Sequence, residues 1–187
     1  DTKLLLFVGR INKLKGIDVL LHSFAQVRKR SPQLKVKMII VGRDDGYQNQ
    51  MSALIKQLSL TDAVIQTGSL YGSDNAACYL AADYFVFTPT YYEETSLAAV
   101  RALSFGLPVL TTPQAELPWL DDYQAGFTVP NQVTAIVNKL TEVLPDAILR
   151  TQFSTNALRL FSDHYEQSCV LTDLEHVFKT TIQRLSQ

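Results

Sequence analysis

Short, near-continuous apolar runs alternate along this chain with longer stretches whose apolar residues recur at helical spacing. KLLLFVG (residues 3–9) reads as a buried strand. After it, Ile17, Leu20, Leu21, Phe24 and Val27 share one helical face until Pro32 stops the run. KVKMIIVG (35–42) is a second strand, followed by a helix carrying Met51, Leu54, Ile55 and Leu58. AVIQTG (63–68) is a third, with a short helix from about Ser73 to Ala82. YFVFTPT (84–90) is a fourth, and SLAAVRALSFG (96–106) is helical. PVLTT (108–112) and GFTVP (126–130) complete the strands, and from Gln132 the pattern is helical, with breaks near Pro145 and Ser162.

Strands without inside–outside alternation, separated by helices, imply a parallel sheet covered on both faces. Right-handed crossovers then give an α/β, doubly wound, Rossmann-like sheet of about six strands. Ligands of such sheets bind beyond the carboxyl ends of the strands. The segments to inspect are therefore residues 9–16, 42–47, 68–72, 88–97 and 111–119. There is no repeat, linker or low-complexity segment, so residues 1–187 read as one domain.

The totals narrow the function classes. A net charge of −1 argues against nucleic-acid binding by bulk positive charge. The longest apolar runs are too short to span a bilayer, and the start has no signal-peptide pattern. Cys78 and Cys169 lack metal or redox spacing and read as free thiols in a reducing, cytoplasmic compartment. The chain opens at Asp1 without Met and enters a strand at once, which reads either as a piece excised from something longer or as a processed start.

Candidate chemistry concentrates at two strand ends. In GRINKLKG (9–16), Gly9 permits a sharp turn, and Arg10, Lys13 and Lys15 stand just before a helix, where the macrodipole disfavours cations. Arg10 and Lys15 can converge on one anion, the arginine as a planar fork and the lysine as a point charge. A solvated basic turn is the plainer reading. In TPTYYEETSLAAV (88–100), Thr95 and Ser96 stand where a helix N-cap is wanted, and the N–H groups there suit phosphate. Glu93 and Glu94, one turn earlier, either complement the helix dipole or accept hydrogen bonds from a polyhydroxylated ligand.

GRINKLKG, IIVG, YLAADYFVFTPTYYEE and ALSFGLPVLTT, in that order and spacing, resemble the C-terminal, nucleotide-sugar-binding domain of retaining GT-B glycosyltransferases, the large glycosyltransferase family 4. The resemblance covers nearly the whole chain, including the closing ALRLFSDHYEQSCVLTDLEHVF. It implies that Arg10 and Lys15, after Gly9, neutralise a donor diphosphate without a metal or other cofactor. It implies that Glu93 lies close to the donor sugar hydroxyls, and that the amides around Thr95, Ser96 and Leu97 lie near the phosphates. Gly68, Ser69 and Leu70 match the loop against the nucleobase, and Gly42 the glycine ending the second strand. Arg43 follows that glycine and can face the cleft.

Departures accompany the match. Arg101 stands where the family places a second glutamate that accepts from the ribose, and an arginine can only donate. TTPQAELPWL (111–120) lacks the usual Gly-Gly, and Ser96 replaces a glycine. Glu94 gives too short a spacing to replace the missing glutamate.

Other residues have structural readings. Asp44, Asp45 and Gly46 look like a turn before a helix, with ligand contact the alternative; Asp83 looks like a cap between helix and strand; Trp119 reads as surface packing, with stacking on a base or sugar the alternative. Tyr91 and Tyr92 either wall a sugar pocket or cover the sheet end. RKRSPQLKVK (28–37) is a solvated basic face, and His22, His164 and His176 have no metal-ligand spacing.

The resemblance thus implies a domain that binds a nucleotide-diphosphate sugar and transfers its glycosyl group with retention. The acceptor, a glycan or lipid-linked group, would bind on an N-terminal domain outside this chain. Such a full-length protein would associate peripherally with the inner membrane face. The second reading is a non-catalytic partner or carbohydrate-binding subunit that keeps the fold. A third is an epimerase of the same architecture, which would turn over without an acceptor.

Overall fold

The computed structural model describes residues 2–93 and 95–185. Six strands form one parallel sheet: β1 (Lys3–Val8), β2 (Val36–Val41), β3 (Val64–Gly68), β4 (Tyr84–Phe87), β5 (Val109–Thr111) and β6 (Gly126–Thr128). Their order is β3-β2-β1-β4-β5-β6. Each strand expected from the apolar runs is present. The helices are α1 (Ile17–Arg30), α2 (Gln48–Gln57), α3 (Gly72–Ala81), α4 (Leu97–Ser104), α5 (Val133–Val143), α6 (Ala147–Leu160) and α7 (Gln167–Leu185). The breaks expected near Pro145 and Ser162 separate α5 from α6 and, through a π-helical turn at Phe161–Tyr165, α6 from α7.

The sheet forms because its central strands have no polar face to give to water. Leu5, Leu6 and Phe7 of β1 and Tyr84, Phe85 and Val86 of β4 are wholly buried, covered by helices on both sides. α1 contributes Leu20, Leu21, Phe24 and Val27 and packs against α5, while α4 packs against α6. Burying each such side chain contributes about 1.5–3 kcal/mol, so the core outweighs any single polar contact at the strand ends. Asp83 adds a specific clamp. Its carboxylate accepts the Leu4 N–H at 2.8 Å and its own N–H donates to the Leu4 carbonyl at 2.8 Å, fixing the start of β4 on β1.

Strand order dictates where a ligand can sit. The chain winds outward from β1 to β3, then returns to place β4 on the other side of β1. The crossovers therefore diverge between β1 and β4, and a crevice opens beyond their carboxyl ends. Two glycines let the crests around it approach. A Cβ at Gly16, whose φ is 66°, would stand 1.6 Å from the Thr88 carbonyl oxygen. One at Gly42 would stand 1.7 Å from the Gly9 carbonyl oxygen. Among the described residues no helix is long and apolar enough to cross a membrane.

Candidate functional site

The crest after β1 is a 3-10 turn, Lys13–Lys15, rather than a loose loop. Asn12 caps it, its Oδ1 accepting the Leu14 N–H at 2.9 Å, and Gly16 in the left-handed region closes it before α1. This turn aims Lys15 inward and leaves Lys13 exposed. Thr88 Oγ1 donates to the Gly16 carbonyl at 3.0 Å, joining this crest to the one after β4.

The crest after β4 leads into α4. Ser96 is the N-cap, with its Oγ accepting the Ala99 N–H at 3.4 Å. Thr95, the other expected cap, adopts φ 61°, a strained conformation for a β-branched residue, and leaves the cap to Ser96. The first intrahelical bond runs from Val100 N–H to the Ser96 carbonyl, so the N–H groups of Leu97 and Ala98 precede the helix ladder. Glu93 N–H donates to the Gln114 carbonyl at 2.8 Å, which ties this crest to the loop after β5.

These crests enclose a cavity of about 440 Å³ lined by Gly9, Arg10, Lys15, Phe87, Glu93 and the first turn of α4. Arg10 and Lys15 thus face the same space as the helix N-terminus. Each also has a carboxylate partner: Lys15 Nζ lies 2.5 Å from Glu93 Oε1, and Arg10 Nη1 lies 2.8 Å from Asp45 Oδ2. The Lys15–Glu93 pair is mostly buried, at 13% and 23% side-chain exposure, whereas the Arg10 side chain is 54% exposed. Lys15 Nζ also stands 5.8 Å from the centre of the Phe87 ring, the floor of the cavity.

The remaining residues singled out from the sequence lie around this centre. Gly42 and Arg43 follow β2, with Gly42 N–H on the Gly68 carbonyl at 2.9 Å and the Arg43 carbonyl accepting the Ile11 N–H at 2.8 Å. Gly68 ends the edge strand β3, and Ser69, exposed, and Leu70, half-buried, follow it. None of these five lines the cavity, and neither does Arg101. The guanidinium of Arg101 lies over the rings of Tyr79 and Phe105, at 5.6 and 5.9 Å. Burial pushes the Tyr79 phenol up to about 12, against the opposing pull of the Arg101 charge. Glu94 lies outside the described residues. Among the described residues no group of three or more His, Cys, Asp or Glu side chains is placed to hold a metal.

Residues 1–159 match the family described as glycosyl transferases group 1. The chain belongs to that family.

Among group 1 glycosyltransferases and their kin, it is 32% identical over 161 residues to a D-inositol 3-phosphate glycosyltransferase of Salinispora arenicola, covering 82% of this chain and 36% of that protein. It is 24% identical to an uncharacterized glycosyltransferase of Methanocaldococcus jannaschii, over 100% of this chain and 47% of the relative. The chain therefore spans less than half the length of these relatives. In fold it is similar to Anabaena HepE, solved in complex with UDP and glucose, with a TM-score of 0.84 at 19% identity over 96% of this chain and 48% of that one. The C-terminal domain of LpcC, a group 1 family protein from Francisella tularensis, superposes with a TM-score of 0.76 at 22% identity, over 88% of this chain and 87% of that one.

This group 1 chain builds the loop after β5 without the expected glycines. Glu116 and Trp119 take left-handed conformations at φ 42° and 62°. Part of that strain is offset by packing: the Trp119 ring stacks on His164 of the π-helical turn, with centroids 4.0 Å apart and planes at 11°. Tyr123 OH lies 2.9 Å from Asp163 and 3.0 Å from His164 Nε2, and the Asp163 contact, more than burial, raises its phenol above the ordinary range. Tyr91 and Tyr92 are exposed. Asp44 serves as the expected turn residue, its Oδ1 accepting the N–H groups of Gly46, Tyr47 and Gln48 at the start of α2. Asp45 is the contact that sequence reasoning missed, because nothing local distinguishes it from Asp44.

Proposed function

We propose that this chain is the donor-binding part of a glycosyltransferase, taking a nucleotide-diphosphate sugar. The observation that carries the reading is the single cavity where Arg10, Lys15, Glu93 and the first turn of α4 meet. Its shape supports the following roles. Arg10 and Lys15 hold the diphosphate, with the N–H groups of Leu97 and Ala98 pointing at its oxygens. Glu93 accepts hydrogen bonds from sugar hydroxyls. As the bond between the anomeric carbon and the phosphate oxygen breaks, negative charge gathers on the leaving diphosphate. Fixed cations and peptide dipoles in a partly desolvated site stabilise that charge more than water does. The chemistry needs no metal in this scheme, and the anomeric configuration is retained.

Gly68–Leu70 and Arg43 flank the nucleoside in this reading, and Arg101 sits where a ribose-binding carboxylate would be expected. The structure of a similar fold with UDP and glucose supports the ligand class. The acceptor, a glycan or lipid-linked group, binds on an N-terminal domain, and the complete protein works on the cytoplasmic face of a membrane. An open apolar stripe on α7, comprising Val170, Leu171, Leu174, Val177 and Phe178, supports a further protein surface in the complete molecule.

Calorimetric titration of UDP, GDP and ADP tests the reading. At least one should bind with a dissociation constant of roughly 1 μM to 1 mM. Arg10→Ala and Lys15→Ala should each weaken it by about tenfold or more, equivalent to about 1.4 kcal/mol. Silence toward all three would instead favour a domain that keeps the fold without handling a donor.

A further inference from the structure

Asp45 lies beyond β2, outside the motifs that carry the family resemblance, yet its carboxylate locks the first two crests together. Its Oδ2 accepts from Arg10 Nη1 at 2.8 Å and from Asn12 Nδ2 at 3.1 Å. Asn12 Nδ2 also reaches the Asp45 carbonyl, at 3.2 Å. The main chain doubles the link, with Asp45 N–H donating to the Ile11 carbonyl at 3.1 Å and Ile11 N–H to the Arg43 carbonyl at 2.8 Å. Asn12 has its amide oxygen on Leu14 N–H, so the residue that caps the Lys15 turn is also the one held by Asp45.

We propose that Asp45 is a positioning residue for the donor diphosphate, fixing Arg10 at the mouth of the cavity before the ligand arrives. The inference rests on the reading of that cavity as a diphosphate site. A half-exposed arginine without a partner samples many rotamers, and ordering it on a ligand costs affinity. Asp45 occupies one of the five guanidinium N–H groups and leaves four for phosphate oxygens. A carboxylate this close also repels a diphosphate. Here two donors, one of them cationic, already sit on the same oxygen and offset its charge, so the positioning effect dominates.

A double-mutant cycle on the 187-residue chain tests this by calorimetry, using whichever of UDP, GDP and ADP binds tightest. Asp45→Ala should weaken binding about fivefold or more. Asp45→Asn, whose amide oxygen accepts the same two bonds, should restore affinity to within about twofold of the parent. In an Arg10→Ala background, Asp45→Ala should change nothing further. Asp45→Ser takes the place of Asp45→Ala if thermal melting shows that the latter does not fold. Tighter binding in Asp45→Ala would make the carboxylate a competitor and overturn the proposal. So would a loss that persists without Arg10, which marks a general loop effect, or a silent Asp45→Ala beside an intact Arg10 effect. If Arg10→Ala is itself silent, or none of the three nucleotides binds, the diphosphate reading falls and the positioning role falls with it.

Discussion

The ammonium of Lys15 lies 2.5 Å from the carboxylate of Glu93, although 78 residues separate them in the chain. The pair bridges the two crests on either side of the crevice between β1 and β4. Under the proposed function these residues serve different parts of one donor, phosphate and sugar. In that reading a diphosphate entering the cavity would share Lys15 with Glu93 and loosen the carboxylate toward the sugar hydroxyls.

Glu93→Gln removes the competing charge while keeping the side chain's size. Affinity for a nucleoside diphosphate without its sugar should rise by about twofold to tenfold, because Lys15 is released to the phosphate. Calorimetry reads this directly, and weaker binding would show that Glu93 supports the phosphate subsite rather than competing with it.

Salt dependence follows from the same charges. Affinity for the nucleoside diphosphate should fall about threefold to tenfold between about 0.05 M and about 0.5 M sodium chloride, since Arg10 is half exposed and its field is screened. A nucleoside binding through its base alone would show no such slope.

Gly42→Ala should destabilise the fold by about 2–4 kcal/mol, because its new methyl group would stand 1.7 Å from the Gly9 carbonyl oxygen and the backbone must move. The urea midpoint of unfolding measures this. A neutral result would mean that the ends of β1 and β2 are not in close contact.

Alkaline stability depends on two buried tyrosines. Burial raises both Tyr79 and Tyr84 from 10.0 to about 12, and their hydroxyls lie near the carbonyls of Ala98 and Val143 at 3.4 and 3.5 Å. The unfolded chain gives up these protons near 10 and the folded chain near 12, so stability is unaffected below that window and falls as pH rises through it. Tyr84→Phe should unfold less steeply with pH between those values, measured by denaturant titration at successive pH. An unchanged slope would contradict burial of the phenol.

Most of the fold was legible because the central strands are buried on both faces. LLLFV, MIIV and YFVF leave no polar register to mistake, and Pro32, Pro145 and the glycines at strand ends mark the boundaries. The cationic crest and the start of α4 were legible too, since strand ends are where such sheets bind. The partners of Arg10 and Lys15 were not. Asp45 and Glu93 lie 35 and 78 residues away, and only the approach of the crests decides which carboxylate each cation meets. The left-handed Thr95, Glu116 and Trp119 were equally hidden. Local preference argues against those conformations, and contacts such as the Trp119–His164 stack, remote in sequence, help hold them.

The central claim is that a pyrophosphate group is gripped between the β1 crest and the start of α4. A crystal structure of the chain with its tightest-binding nucleoside diphosphate tests it most directly. Phosphate oxygens are expected within hydrogen-bond distance of Arg10, Lys15 and the N–H groups of Leu97 and Ala98, with Glu93 shifted off Lys15. A diphosphate bound elsewhere, with the Lys15–Glu93 pair intact, would contradict it.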